Sequence, residues 1–180
     1  LVAFPSGRGL TDAAMTREVN RLGSSMTTWR SEEDPAISVV IDRQGDRSFL
    51  SKANYRALAR CPGLPDANWI HVPGLREAEV LEDQLREARS NGSRISVAAS
   101  WAPDRLKQLS EPADRPWDLL VINRHEFHEA TGRSDLAPEA LSHIADDIVV
   151  TDGATAGHVL SDGQPCSISV VPTDNVGDTT

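Results

Sequence analysis

Three short segments of the sequence bring together residue types that can bind a phosphate or move a proton. Asn123 and Glu126 stand three residues apart in NRHE, and Thr151 begins the small-residue segment TDGATAG. Asp178 closes the loop PTDNVGD near the end of the chain. An asparagine can donate and accept hydrogen bonds. A glutamate can hold Mg²⁺ through water, because this ion prefers oxygen ligands and keeps much of its hydration.

The loop that ends at Asp178 has the character of an anion site with a base beside it. It follows a predicted strand over residues 167–171 and leads into a predicted helix N-terminus, where exposed N–H groups and the helix dipole attract anions. An aspartate at that place can take the proton from a hydroxyl that attacks a bound phosphate. The glycines of TDGATAG would likewise let a phosphate or a flat ligand approach the backbone closely.

Each segment also has a purely structural interpretation. Asn123 and Glu126 fit the N-cap and N3 positions of a capping box, and on its own the NRHE segment favours that interpretation. The glycines of TDGATAG fit a tight connection whose backbone angles require glycine. Asp178 fits an ordinary N-cap of a helix.

The elements that position these segments are typical of an α/β sheet. Residues 118–122 (DLLVI) and 147–151 (DIVVT) read as strands that are apolar on both faces, which indicates a parallel sheet covered by helices on both sides. Open α/β sheets bind their ligands at the carboxyl ends of their strands. We therefore expect the strands ending at Ile122, Thr151 and Val171 to share one sheet, with these ends along one edge. Helices are predicted at residues 77–90, 103–109 and 126–131.

An earlier segment has a different pattern. Residues 37–41 (ISVVI) and 47–50 (RSFL) flank the turn sequence DRQGD, which predicts a β-hairpin. Because this hairpin interrupts the alternation of strands and helices, we interpret it as an addition to the sheet, such as a lid.

The order and spacing of these segments resemble the ribokinase (PfkB) family of carbohydrate kinases. That family carries an NxxE motif after a strand, then a strand ending in Thr with a Gly-rich nucleotide segment, and last a DTxGAGD loop. The sequence has NRHE, then TDG with Gly157, then Thr173 to Asp178, and SVVIDRQGDR is similar to the lid segment of the family. Because TDNVGD is two residues short of the family pattern, we expect two further residues near Gly177, and more chain before Leu1 and after Thr180.

The resemblance implies a three-layer α/β/α ribokinase-like domain over residues 1–180, with a small β lid at about 37–50. It implies ATP-dependent phosphoryl transfer to a hydroxyl of a sugar or sugar-like small molecule, with Mg²⁺ as cofactor and Asp178 as catalytic base. The residues it implies for the nucleotide site are Asn123, Glu126, Thr151, Gly153, Gly157, Asn175 and Gly177, with Glu126 holding Mg²⁺ through water. A non-catalytic nucleotide- or sugar-binding member of the same fold and a nucleoside kinase are the alternatives.

Composition and charge narrow the range of partners. The net charge of −9 and the pI of about 5.0 argue against nucleic acid, whose binding depends largely on Lys and Arg. Two distant cysteines form no CxxC pair, so a disulfide framework or zinc site is not expected and the cytosol is the expected compartment. No apolar run approaches the roughly 20 residues that span a membrane. The expected partners are ATP and a small sugar, and the lid allows a homodimer.

Overall fold

The computed structural model describes residues 2–6, 10–24, 26–30, 37–43, 46–53, 55–113 and 116–171. The chain forms two compact units, one of residues 1–66 with 80–84 and the other of residues 67–79 with 85–180. The assignment of residues 1–180 to a single kinase domain stays a prediction. The described residues of the predicted nucleotide site all lie in the second unit.

The described residues of the segment 1–66 form two separate two-stranded sheets and two helices. Its elements are β1 (Val2–Ser6), α1 (Leu10–Arg21), β2 (Met26–Arg30), β3 (Ile37–Arg43), β4 (Asp46–Lys52) and α2 (Tyr55–Leu58). Strands β1 and β2 pair in parallel, because α1 carries the chain back between them. The helix α1 ends in a Schellman motif, in which Gly23 has a φ of +67° and the Ser24 N–H donates to the Val19 carbonyl.

The β3–β4 hairpin confirms the hairpin predicted at residues 37–50. The two strands pair antiparallel from Ile37 opposite Lys52 to Arg43 opposite Asp46. Val39 is 52% exposed and Phe49 is 59% exposed, although alternation along the strands places them on opposite faces of the ribbon. The hairpin therefore presents apolar side chains on both faces.

The second unit is built on one six-stranded sheet in the order β10-β9-β8-β7-β6-β5. Its strands are β5 (Trp69–Val72), β6 (Arg94–Ala98), β7 (Trp117–Asn123), β8 (Ala145–Asp152), β9 (Ala156–Ser161) and β10 (Gln164–Ser169). Strands β5 to β8 are parallel, whereas β9 and β10 are each antiparallel to the preceding strand, so the sheet is mixed. Only Asp162 and Gly163 join β9 to β10, and their φ angles of 50° and 70° suit a tight hairpin turn.

The connections between the parallel strands contain helices. These are α3 (Leu75–Val80), α4 (Glu82–Ser90), α5 (Pro103–Leu106) and α6 (Arg124–Thr131), with 3₁₀ turns at Lys107–Ser110 and Pro138–Leu141. The single helix predicted at residues 77–90 is thus two helices that meet at Leu81. No described helix has the length and apolarity needed to cross a membrane.

Burial alternates along the central strands. Ile122 and Val150 are almost fully buried, whereas their neighbours Val121 and Val149 are half-buried. Helix α6 packs against β7 and β8, and its Phe127 is fully buried, so the core of this unit lies between the sheet and its helices.

Candidate functional site

Three of the predicted site residues lie in one row across the six-stranded sheet. Asn123 is the register partner of Thr151, Thr151 is the partner of Gly157, and Gly157 is the partner of Ile168. We call this row, with the connections that follow the parallel strands β5 to β8, the carboxyl edge. Because β7, β8 and β10 run in the same direction, the structure confirms that these strands share one sheet with their carboxyl ends along one edge, although β10 ends at Ser169 and not at the predicted Val171.

Asn123 and Glu126 form the capping box that their spacing suggested. The Glu126 N–H donates to Asn123 Oδ1 at 2.9 Å, and the Asn123 N–H donates to Glu126 Oε2 at 3.0 Å. Two backbone donors that α6 leaves without helical partners are thereby satisfied. The structural interpretation of this segment is confirmed, and it fixes both side chains at the carboxyl edge.

The Glu126 carboxyl is buried, and burial raises its pKa. Hydrogen bonds from the backbone and side chain of Asn123, and the nearby charge of His125, act in the opposite direction and lower that pKa. The described residues contain no cluster of three or more His, Cys, Asp or Glu side chains that could hold a metal ion. The Glu126 carboxylate has the oxygen atoms that Mg²⁺ prefers, so it would suit an ion held through water.

The two glycines of the TDGATAG segment have different requirements. Gly153 has a φ of +54°, where a side chain is strained, so the turn itself requires glycine. Gly157 is not in the left-handed region, and a Cβ there would meet Ile168 Cβ at 3.7 Å, an ordinary contact. The tight-turn interpretation thus explains Gly153 and leaves Gly157, in the row with Thr151, without a backbone reason for being glycine.

An ion pair that no sequence motif indicated joins the first two motifs. Arg124 Nη2 donates to Asp152 Oδ2 across 28 residues of sequence, and this hydrogen bond raises the pKa of Arg124. Asp152 is among the few buried charged residues of the described chain. The sequence contained one indication of this pair: with Asn123 as the N-cap, Arg124 lies in the first turn of the helix. The helix dipole disfavours a cation there, so a nearby anion is expected.

The last predicted motif lies outside the described residues. The structure describes β10 to Ser169 and the chain to Val171, so Asn175, Gly177 and Asp178 fall beyond it. Their roles in an anion hole and as a base stay predictions.

Solved structures show what this arrangement is similar to. One match is an adenosine kinase from Schistosoma mansoni in complex with 2-fluoroadenosine. The match covers 98% of this chain and 62% of the adenosine kinase chain, with a TM-score of 0.73 and 14% sequence identity. Another match is a ribokinase from Giardia lamblia. This match covers 99% of this chain and 62% of the ribokinase chain, with a TM-score of 0.69 and 12% sequence identity. The chain has the ribokinase-like fold. The α/β class and the fold expected from the motifs are therefore confirmed.

A third ribokinase-like structure carries a nucleotide. It is a fructokinase from Xylella fastidiosa with bound ATP, which matches 92% of this chain and 61% of its own, with a TM-score of 0.67 and 17% identity. The chain spans about three-fifths of the length of each of these three proteins. No protein-family model matches the sequence, and no curated protein matches it by sequence.

Proposed function

We propose that the protein transfers the γ-phosphoryl group of ATP to a hydroxyl of a sugar or sugar-like small molecule. The supporting observation is the row of Asn123, Thr151 and Gly157 at the carboxyl edge of a ribokinase-like sheet. These residues come from separate motifs that a nucleotide site in the resembled family combines. Their adjacency in space is the arrangement that such a site requires.

Each residue has a role in this proposal. Asp178 removes the proton of the acceptor hydroxyl, and backbone N–H groups around Asn175 and Gly177 stabilise charge on the transferring phosphoryl group. Asn123 and Glu126 orient Mg²⁺-bound water and phosphate, while the residues that line the nucleotide are Thr151, Gly153 and Gly157. Mg²⁺, when bound, supplies positive charge against the phosphates.

The β3–β4 hairpin is the proposed lid. Excluding water matters because water competes with the acceptor hydroxyl for the phosphoryl group. The apolar side chains on both faces of the hairpin would gain burial by covering a ligand and by pairing with the hairpin of a second copy in a homodimer. Light scattering of wild type and a Phe49→Ser variant tests the homodimer, because the variant should shift the protein toward monomer.

A nucleoside kinase is the second candidate for the reaction. The observation in its favour is the similarity to the adenosine kinase from Schistosoma mansoni, whose TM-score of 0.73 exceeds those of the ribokinase and the fructokinase described above. A nucleoside also presents a sugar hydroxyl to the phosphate, so the same base and carboxyl edge serve both reactions. A non-catalytic binding protein is the third candidate, because TDNVGD departs from the small residues of an anion hole.

The compartment we propose is the reducing cytosol. Cys61 is buried and Cys166 is exposed, and both are free thiols. An exposed free thiol suits a compartment that keeps cysteines reduced.

An acceptor panel tests the proposed reaction. The full-length protein would be given MgATP with a range of hexoses, pentoses and nucleosides, and ADP release would be measured together with the phosphorylated product. We expect one acceptor class to give product in step with ADP. ADP release without any phosphorylated acceptor, or ATP binding without turnover across the whole panel, would favour the non-catalytic candidate.

A further inference from the structure

The carboxyl edge of this acidic protein is poor in positive charge. The connections directly after β5 (residues 73–74), β6 (99–102) and β8 (153–155) contain no Lys or Arg, and neither does the final sequence PTDNVGDTT. Arg124, directly after β7, is the cation that this part of the described chain supplies. ATP carries several negative charges, so a site for it at this edge needs positive charge from some source.

Two other arginines near the strand ends are already engaged with exposed carboxylates. Arg76 of α3 pairs with Asp104 at 2.6 Å, and Arg105 of α5 pairs with Glu79 at 2.6 Å. Both lie after β5 and β6, outside the row of Asn123 and Thr151. Arg124 is therefore the arginine that stands next to the predicted nucleotide residues.

The guanidinium of Arg124 is held in place and is still accessible. The Asp152 side chain is only 9% exposed, whereas the Arg124 side chain is 53% exposed. A buried carboxylate is costly unless it is paired, so Asp152 holds the guanidinium firmly. Among the described residues Asp152 is the hydrogen-bond partner of that group, so several of its five N–H donors remain for a ligand.

The pair is not needed to join β7 to β8. The two strands already form a backbone ladder from Trp117 opposite Ala145 to Asn123 opposite Thr151. A cation at the start of α6 is also opposed by the helix dipole. A residue that is locally unfavourable, as a cation at a helix N-terminus is, is expected more often at functional sites than elsewhere.

We propose that Arg124 binds a phosphate group of the nucleotide, and that Asp152 is the residue that positions it. The planar guanidinium fork matches the spacing of phosphate oxygens, and the fixed anchor reduces the entropy that binding costs. This inference rests on the proposed kinase function, since it assigns a further residue to the same nucleotide site. The ligand class is a nucleoside di- or triphosphate.

The test measures the affinity of the full-length protein for ATP and ADP by calorimetry, with melting temperature as a parallel reading. We expect Arg124→Ala to weaken ATP binding about 10- to 100-fold, the usual range for a lost charged hydrogen bond. Arg124→Lys should retain part of the affinity, because it keeps the charge without the fork. Arg133→Ala is the matched control, since Arg133 forms an exposed pair with Asp135 after the other end of α6 and should leave affinity unchanged.

A double variant separates binding from folding. Arg124→Ala leaves Asp152 buried without its partner and is expected to lower the melting temperature. Adding Asp152→Asn removes the second charge, so we expect the melting temperature to recover while ATP affinity stays low. Recovery of affinity together with melting temperature would overturn the inference and leave the pair a structural one. An Arg124→Ala variant with wild-type ATP affinity would overturn it equally. A wild-type protein that binds no ATP would overturn the proposed kinase function itself, and the inference with it.

Discussion

At the carboxyl edge polar side chains are fixed by hydrogen bonds, whereas the β3–β4 hairpin leaves apolar side chains exposed. Asn123 and Glu126 satisfy each other's backbone, and beneath them Ile122 and Val150 are buried. In the hairpin, Val39 and Phe49 lie more than half exposed on opposite faces. The described part of the carboxyl edge is thus fixed by contacts within its own unit, while the described apolar side chains of the hairpin are exposed and would gain burial from a ligand or another chain.

Equal truncations in the two regions should have very different effects on stability. Val150→Ala removes side-chain atoms from a position that is 0% exposed and should cost about 2 kcal/mol of unfolding free energy. Val39→Ala removes the same atoms from an exposed strand and should cost less than about 0.5 kcal/mol. Urea unfolding of both variants is the measurement, and similar losses would mean that the hairpin is packed as firmly as the sheet.

A smaller effect tests whether Asn123 both caps α6 and binds the nucleotide. Asn123→Ala should cost about 1 kcal/mol of stability, because the Glu126 N–H loses its acceptor. Asn123→Ser should keep stability close to wild type, since serine is a good N-cap, but should lower turnover because the amide is lost. Unfolding and kinase assays on both variants decide the question. Full activity in the serine variant would leave Asn123 with the capping role alone.

The smallest effect concerns the buried carboxyl at the same edge. Burial raises the pKa of Glu126, so the folded protein holds that proton more tightly than the unfolded chain does. The stability that this provides is fully present below the ordinary value of 4.5 and is lost as the pH rises through the raised pKa. Glu126→Gln keeps an acceptor for the Asn123 N–H and cannot titrate.

Unfolding measured from acid to neutral pH tests this sign. We expect wild type to lose stability relative to Glu126→Gln as the pH rises above 4.5. A difference that stays flat, or that favours wild type at higher pH, would show that the cap hydrogen bonds outweigh burial and would contradict a raised pKa for Glu126.

Much of the carboxyl edge follows from local patterns in the sequence. Apolar runs predicted β7 and β8, and the spacing of Asn123 and Glu126 predicted the capping box, because both depend on residues close in the chain. The hairpin of β9 and β10 was not predicted, although an Asp-Gly pair between two strands is typical of one, and β10 begins at Gln164 where the strand was expected at residue 167.

Other features depend on contacts that no local pattern contains. Arg124 and Asp152 are 28 residues apart and meet only because β7 and β8 are neighbours in the sheet. The break between α3 and α4 at Leu81 falls inside a continuous apolar stripe, so periodicity alone predicted a single helix. The backbone of Gly153 requires glycine and that of Gly157 does not, and this difference is visible only from their φ angles, which the sequence does not give.

Replacing the proposed base is the most direct test of the central claim. Asp178→Asn is nearly isosteric but cannot accept the hydroxyl proton, and general-base assistance is typically worth about 10²–10⁴-fold, roughly 3–5 kcal/mol of barrier. Asp162→Asn is the control, because Asp162 lies in the β9–β10 turn at the opposite edge of the sheet, and asparagine tolerates its φ of 50°. Turnover of the best acceptor and ATP affinity would be measured for the full-length protein and both variants. The account predicts that Asp178→Asn loses about 10²–10⁴-fold in turnover with ATP affinity retained, while Asp162→Asn stays near wild type. Near wild-type turnover in Asp178→Asn would contradict it.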